Sequence, residues 1–270
     1  MSDNLSDLLS FAVNLAKSAG RIHMSYFGKL SLIKSKSSKI DLVSKADIES
    51  NTYIINKILS SYPDHSILSE EKKEHIGSSD YRWVVDPLDG TTNFVHRLPI
   101  FSSSIGLQKN NQTILGVVYN PAADKCFVAE RNKGAFLNNS PIHVTSSNTL
   151  SDCLLATGFP YVHDEKYDLL FDLFKDFYDR TRGLRRLGAA SLDLCFVAMG
   201  RFDGFYEYGL KPWDVCAGEL ILKEAGGMVT DWNGKSSPPN NGSRILATNK
   251  LIHKQMAKIL LKKEYDIFID

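Results

Sequence analysis

The segment DPLDGTTNF, residues 86–94, sets two carboxylates three residues apart and follows them with a glycine and two hydroxyls. Carboxylates this close repel unless something positive lies between them. The apolar run RWVV delivers the chain to Asp86 as a strand, Pro87 stiffens the exit, and Gly90 permits a tight turn. Alone, this segment reads equally well as a solvated acidic turn, because Asp, Pro and Gly all favour turns. Other acids shift the balance. SILSEEK ends another short strand at Glu70 and Glu71, KPWDVCAGE places Asp214 at a helix start, and DLVSKAD brings Asp41 and Asp47 to a second helix. Asp214 can also cap its helix; the two roles can coexist. Oxygen donors with no His or Cys cluster suit a hard cation, magnesium or else manganese or calcium, and not zinc. Shared carboxylates can hold two ions a few ångströms apart, the arrangement used for in-line displacement at phosphorus. Backbone N–H groups at Gly90 can approach an anion closely, and the Thr91 hydroxyl can orient a water. Those parts together make a site for hydrolysing a phosphate ester. No G-x-x-x-x-G-K-[ST] loop is present, so transfer from a nucleoside triphosphate is not supported.

The elements that must position these groups follow from periodicity. Leu5, Leu8, Leu9, Ala12, Leu15, Ala16 and Ala19 have helical spacing, ending at Gly20 or continuing toward Gly28. Residues 29–40 read as an exposed loop rich in Ser and Lys. A second helix runs from about 47 to 60, and Pro63 closes it. The period then changes. SILSEE and RWVVDP are short strands, and FSSSIGLQ, QTILGVVYN, DKCFVAE and GAFLNN follow as an antiparallel meander. The polar stretch 139–152 marks a lobe boundary. Beyond it CLLATG, FDGFYE, MVTD and RILATN are strands, and EKYDLLFDLFKDFYDR, SLDLCFVAMG, WDVCAGELILKEAGG and LIHKQMAKILLKK are helices. A helix pair and meander followed by alternating strands and helices predicts a layered α/β chain. The expected division is a lobe of residues 1–140 with most of the acids and a smaller α/β lobe of 141–270 with Asp214. In the helix at 165–180, Tyr167, Phe171, Phe174, Phe177 and Tyr178 suit core or dimer packing better than a ligand box.

Bulk properties bound the function. The chain has 270 residues, 43% hydrophobic and 23% charged, with a net charge of +1. That content is ordinary for a water-soluble domain, and no long-range field advertises nucleic acid or an anionic membrane. No apolar run approaches the ~20 residues of a membrane span. The N-terminus MSDNLSDLLS lacks the basic and then apolar pattern of a secretory signal, so a cytoplasmic location is expected. Cys126, Cys153, Cys195 and Cys216 form no C-x-x-C pair and read as buried free thiols.

The pieces DLVSKAD (41–47), SEE (69–71), WVVDPLDGTTNF (83–94), GVVYNP (116–121), GAFLN (134–138) and KPWDVCAGELILKEAGG (211–227) resemble the inositol monophosphatase family, within the magnesium-dependent, lithium-sensitive phosphatases. The resemblance runs nearly end to end. It implies a layered αβαβα sugar-phosphatase fold, a homodimer, and hydrolysis of a myo-inositol monophosphate by water activated by two or three metal ions. It implies that Glu70, Asp86 and the Leu88 carbonyl hold one magnesium, and that Asp86, Asp89 and Asp214 hold the second. Glu70 and Thr91 would position the water, with Asp47 accepting from the Thr91 hydroxyl. Gly90 and Thr91 would bind phosphate oxygens through their backbone. Two departures, Ser69 for glycine and Leu88 for isoleucine, leave these roles intact.

The same superfamily hydrolyses fructose 1,6-bisphosphate, nucleotide 3′-phosphates and histidinol phosphate, and those activities remain alternatives. By the resemblance, Glu207 meets the ring hydroxyls, and Arg185 is a substrate-side residue. Bland readings stand beside these: a strand-end glutamate, and a surface or dimer-face cluster of Arg182, Arg185 and Arg186. Some bacterial relatives bind the transcription machinery, and these arginines could serve a protein or RNA partner. His96 suits a structural or rim role better than that of a catalytic acid.

Overall fold

Leu8, Ala12, Leu15, Ala16 and Ala19 are buried along one face of α1 (Leu5–Tyr26). Asn4 caps its start by accepting from the Ser6 N–H at 3.2 Å. The helix runs past Gly20 and ends short of Gly28, which takes φ 81. The computed structural model describes residues 4–29, 45–161, 166–235 and 243–268, with the backbone alone at 34–35 and 42–43. Most of the expected loop 29–40 and Asp41 lie outside the described residues. Within that stretch, β1 (Lys34–Ser35) pairs antiparallel with β2 (Leu42–Val43). Helix α2 (Lys45–Ser61) follows, with Ile54, Ile55 and Ile58 buried.

The next strands build one sheet. They are β3 (Ser66–Ser69), β4 (Lys72–His75), β5 (Tyr81–Asp89), β6 (Ser102–Lys109), β7 (Gln112–Asn120), β8 (Lys125–Glu130), β9 (Ala135–Leu137) and β10 (Ser140–Pro141), with the short α3 (Thr91–Val95) between β5 and β6. Their order is β10-β9-β8-β7-β6-β5-β3-β4. From β5 onward this is the expected antiparallel meander. The parallel pairing of β3 with β5 is not part of that expectation. It arises because β4 turns back along the outer edge of β3, so β5 enters on the inner edge in the direction of β3. The consequence is functional. Ser69 lies opposite Val85, so Glu70 leaves one strand beside the point where Asp86 continues the next.

The second half gives β11 (Leu154–Thr157), α4 (Tyr167–Tyr178), β12 (Gly183–Arg185), α5 (Ala190–Ala198), β13 (Gly204–Tyr208), α6 (Pro212–Glu224), β14 (Met228–Thr230), β15 (Arg244–Thr248) and α7 (His253–Leu260). The strands form a mixed sheet in the order β12-β11-β13-β15-β14. The closing helix is shorter than expected at both ends, and a 3-10 turn at Lys263–Phe268 follows it and buries Tyr265 and Phe268. In α4, Leu170, Leu173 and Phe177 face inward, whereas Phe171 and Tyr178 are 49% and 56% exposed. The aromatic stripe is therefore split between core and surface.

Five layers result: α1 with α2, the large sheet, α5 with α6, the smaller sheet, and α4 with α7. One apolar core joins α1 and α2 to the large sheet, a second surrounds α5 and α6, and a third lies under α4 and α7. Helix α6 lies flush on the large sheet because Gly106 and Gly116 face it: a Cβ there would come within 2.6 Å of Cys216 Sγ and 2.7 Å of the Ala217 carbonyl. That close seat sets Asp214, in the first turn of α6, against the end of β5. All four cysteines are buried and free. Among the described residues, no helix is long and apolar enough to cross a membrane.

Candidate active site

Strand β5 ends at Asp89, and Gly90 then takes φ 85, a left-handed conformation that glycine adopts without steric cost. A side chain there would also come within 2.8 Å of the Ile100 carbonyl. Helix α3 starts at once, so Asp86, Asp89, Thr91 and Thr92 crowd around one corner. That corner is one wall of a cleft of about 140 Å3. Glu70, Asp86, Asp89, Gly90, Thr91 and Asp214 line it together with Glu207. Four separate elements thus bring Glu70, Asp86, Asp89, Glu207 and Asp214 to one place, while the predicted Asp47 is not among the lining residues.

Each acid is held by its own local structure. The Leu88 N–H donates to Asp86 Oδ1 at 3.0 Å. The Ser191 N–H and hydroxyl donate to Asp89 Oδ2 at 2.9 and 2.5 Å. The Lys211 N–H donates to Asp214 Oδ2 at 2.7 Å, so Asp214 also caps α6. Leu88 is fully buried, and its carbonyl accepts from the Thr91 hydroxyl at 2.9 Å. This is a partner for Thr91 beyond the Asp47 that the resemblance implied. Asp47 is buried in the first turn of α2, and its charge reaches Asp86.

Burial pushes the Asp86 carboxyl well above its usual range, and the charges of Glu70, Asp89, Asp214 and Asp47 push it further. Asp214 is raised by burial and then by Asp89. Burial lifts Asp89 to about 6, against the opposing Ser191 hydrogen bonds. Burial also lifts Glu207 to about 8, with Arg186 working the other way. Among the described residues lining the cleft, Arg186 is the sole cation. No three His, Cys, Asp or Glu side chains among the described residues close into a finished metal cage. The fit to a cation rests on charge and chemistry: four acids within electrostatic reach, all oxygen donors, with too little positive charge from the chain.

Arg185, the substrate-side arginine expected from the resemblance, is not among the residues lining the cleft. It is exposed, and its Nη1 donates to the Leu184 carbonyl at 3.0 Å. Arg186 lines the cleft instead. Arg182 pairs with Asp152 at 3.3 Å on the surface. His96 is exposed at the end of α3 and does not line the cleft. Sequence reasoning missed Ser191, Gly158, Phe159, Tyr161 and Asp193. Ser191 carried a weak signal, a hydroxyl in the first turn of a helix. Asp193 is buried on α5, and burial with the Glu207 and Asp89 charges raises its carboxyl well above the usual range.

The inositol monophosphatase family model matches residues 4–265. A putative Nus factor SuhB of Neisseria meningitidis serogroup B is 41% identical over 258 residues, covering 95% of this chain and 98% of the relative. An inositol-1-monophosphatase of Mesorhizobium japonicum is 38% identical over 259 residues, covering 95% and 97%. The crystal structure of the extragenic suppressor protein suhB from Bartonella henselae matches with a TM-score of 0.90 at 38% identity, covering 95% of this chain and 99% of that one. With this cleft in a five-layer fold, and with relatives alike over nearly its whole length, the chain belongs to the inositol monophosphatase family.

Proposed function

We propose that the protein hydrolyses a myo-inositol monophosphate to myo-inositol and phosphate, with magnesium as its cofactor and manganese or calcium able to take the same sites. One observation carries this reading: Glu70, Asp86, Asp89 and Asp214 converge on a cleft whose walls also hold the Gly90–Thr91 turn and Glu207. Glu70, Asp86 and the Leu88 carbonyl would hold one ion, and Asp86, Asp89 and Asp214 a second. Ions held there would supply positive charge to offset that of the phosphate and polarise its ester bond. The backbone N–H groups of Gly90 and Thr91 hold phosphate oxygens. The Thr91 hydroxyl donates a hydrogen bond to the Leu88 carbonyl, which leaves its oxygen lone pairs free to accept from the attacking water. Glu70 accepts from the same water and takes the proton it loses, and Asp47 would be a further acceptor for the Thr91 hydroxyl, the role the resemblance implies. Water adds to phosphorus as the ester P–O bond breaks, and the inositol oxygen takes up a proton. Glu207 accepts from ring hydroxyls, and Arg186 offsets its charge.

A phosphate-release panel tests the reading. Inositol 1-phosphate should be turned over faster than fructose 1,6-bisphosphate, adenosine 3′,5′-bisphosphate and histidinol phosphate. Chelation should stop all turnover, and millimolar lithium should inhibit it. A clear preference for another ester would replace the substrate, and turnover that survives chelation would remove the metal. The proposal includes a cytoplasmic homodimer, which sizing in solution and cell fractionation check.

A second reading draws on the Nus factor name of the Neisseria relative: a transcription-machinery-binding protein. The exposed Arg182 and Arg185 would be available to such a partner. An Asp89→Asn variant separates the two, since a binding role survives loss of turnover and a metabolic role does not.

A further inference from the structure

We infer that Gly158 is a specificity-determining residue, because its missing side chain is the space into which Glu207 leans to reach the cleft. The inference rests on the proposed role of Glu207 and adds the residue that positions it.

Strands β11 and β13 run parallel, with Thr157 opposite Tyr206. One step further along both, Gly158 comes opposite Glu207. Side chains at matched positions of neighbouring parallel strands point to the same face, and the strands lie about 4.8 Å apart. A side chain standing upright on its own strand would leave the neighbouring position free. Glu207 does not stand upright. A Cβ at residue 158 would overlap its carboxylate carbon and both carboxylate oxygens, closer than Cβ atoms approach other groups. The carboxylate therefore lies over Gly158, and both residues line the cleft.

The backbone gives no other reason for glycine here, because Gly158 does not adopt a left-handed φ. Space is the reason. If a methyl group filled that space, the carboxylate would have to move. The like charges of Asp193 and Asp89 lie within electrostatic reach of it, and Arg186 is the opposing positive group. The phosphate end of the cleft, built on β5 and α6, is untouched by this change. Gly158→Ala should thus act on recognition of the polyol and spare the phosphate chemistry.

The test compares kcat/KM for inositol 1-phosphate with kcat/KM for p-nitrophenyl phosphate, which has no ring hydroxyls. Wild type, Gly158→Ala, Glu207→Ala, both changes together, and Gly158→Ala with Glu207→Asp are measured in the full chain with magnesium. Gly158→Ala should lower the ratio about tenfold or more, as loss of a polar contact to substrate does. It should lower it no further in the Glu207→Ala background. Glu207→Asp, one methylene shorter, should recover part of the ratio beside Ala at 158 although it lowers the ratio beside glycine. If Glu207→Ala lowers the ratio and Gly158→Ala leaves it within about twofold, the inference falls and the reading of Glu207 stands. If Glu207→Ala itself leaves the ratio unchanged, both fall. Multiplicative losses in the double variant would also overturn the inference. Should Gly158→Ala fold poorly, adding Glu207→Gly must restore its melting temperature, and failure to do so counts against the collision.

Discussion

In the cleft, Glu70, Asp86, Asp89 and Asp214 share one lining cation, Arg186, among the described residues. On the outer face of the molecule, Asp176 of α4 is surrounded by donors: Arg180 at 2.7 Å, Tyr265 at 2.8 Å, and the Lys262 ammonium. Burial acts on both groups in the same direction, raising the carboxyl. At Asp176 the Lys262, Tyr265 and Arg180 hydrogen bonds overcome it and hold the carboxyl below its usual range. At Asp86 the neighbouring charges add to it. One cluster completes its own charge and ties α4 to the segment after α7. The other leaves its charge incomplete in a buried corner of the cleft. Stored repulsion of this kind is what a cationic ligand relieves, and it marks a binding site more sharply than acidity alone.

The largest test of that contrast is Asp89→Asn. Turnover should fall on the order of a thousandfold, the scale of losing a key electrostatic group, with the circular dichroism spectrum unchanged. Near-normal kcat would remove Asp89 from the site. Next, Arg186→Ala should lower kcat/KM by about tenfold and Arg185→Ala by much less, because both are exposed but only Arg186 lines the cleft and opposes the Glu207 charge. Equal losses would erase the distinction between two adjacent arginines. Asp176→Ala should leave turnover intact and lower stability by about 1 kcal/mol in urea, a part-exposed cluster giving the low end of the hydrogen-bond range. An unchanged midpoint would mean the outer cluster contributes nothing.

The smallest effect is a pH trend. Asp89 binds its extra proton in the folded state between 3.8 and about 6. Native protein holds more protons than unfolded chain across that window, so metal-free stability falls as pH rises through it. Asp176 has the opposite sign: its contribution is present above 3.8 and is lost as pH falls through its depressed value. The melting temperature of chelated protein should therefore drop by a few degrees between pH 4 and 6, and Asp89→Asn should flatten the slope. A rising melting temperature over that range would show that burial of Asp89 is not the dominant influence.

Much of the candidate site was legible because its groups lie in short segments. D-P-x-D-G-T-T carries Asp86, Asp89, Gly90 and Thr91 on one strand end, and local spacing suffices to see them. The meander was legible from alternation and its turns. The parallel placement of β3 was not, because strand order depends on which edge a hairpin covers. Arg185 and Arg186 show a second limit. One residue of register separates the arginine outside the cleft from the one lining it, and in extended chain one residue reverses a side chain. Ser191 shows a third, since its bonds to Asp89 span 102 residues of chain.

By itself the sequence determined the chemistry on offer: oxygen donors for a hard cation, a glycine turn for an anion, and the periodicities of layered sheets and helices. These are properties of residue types and near neighbours, which a linear chain displays directly. Only the tertiary structure decided which carboxylates share a cleft, that Arg186 lines it, and that Glu207 occupies the space over Gly158. Those outcomes depend on distances between segments far apart in the chain, and close packing, not local preference, sets such distances.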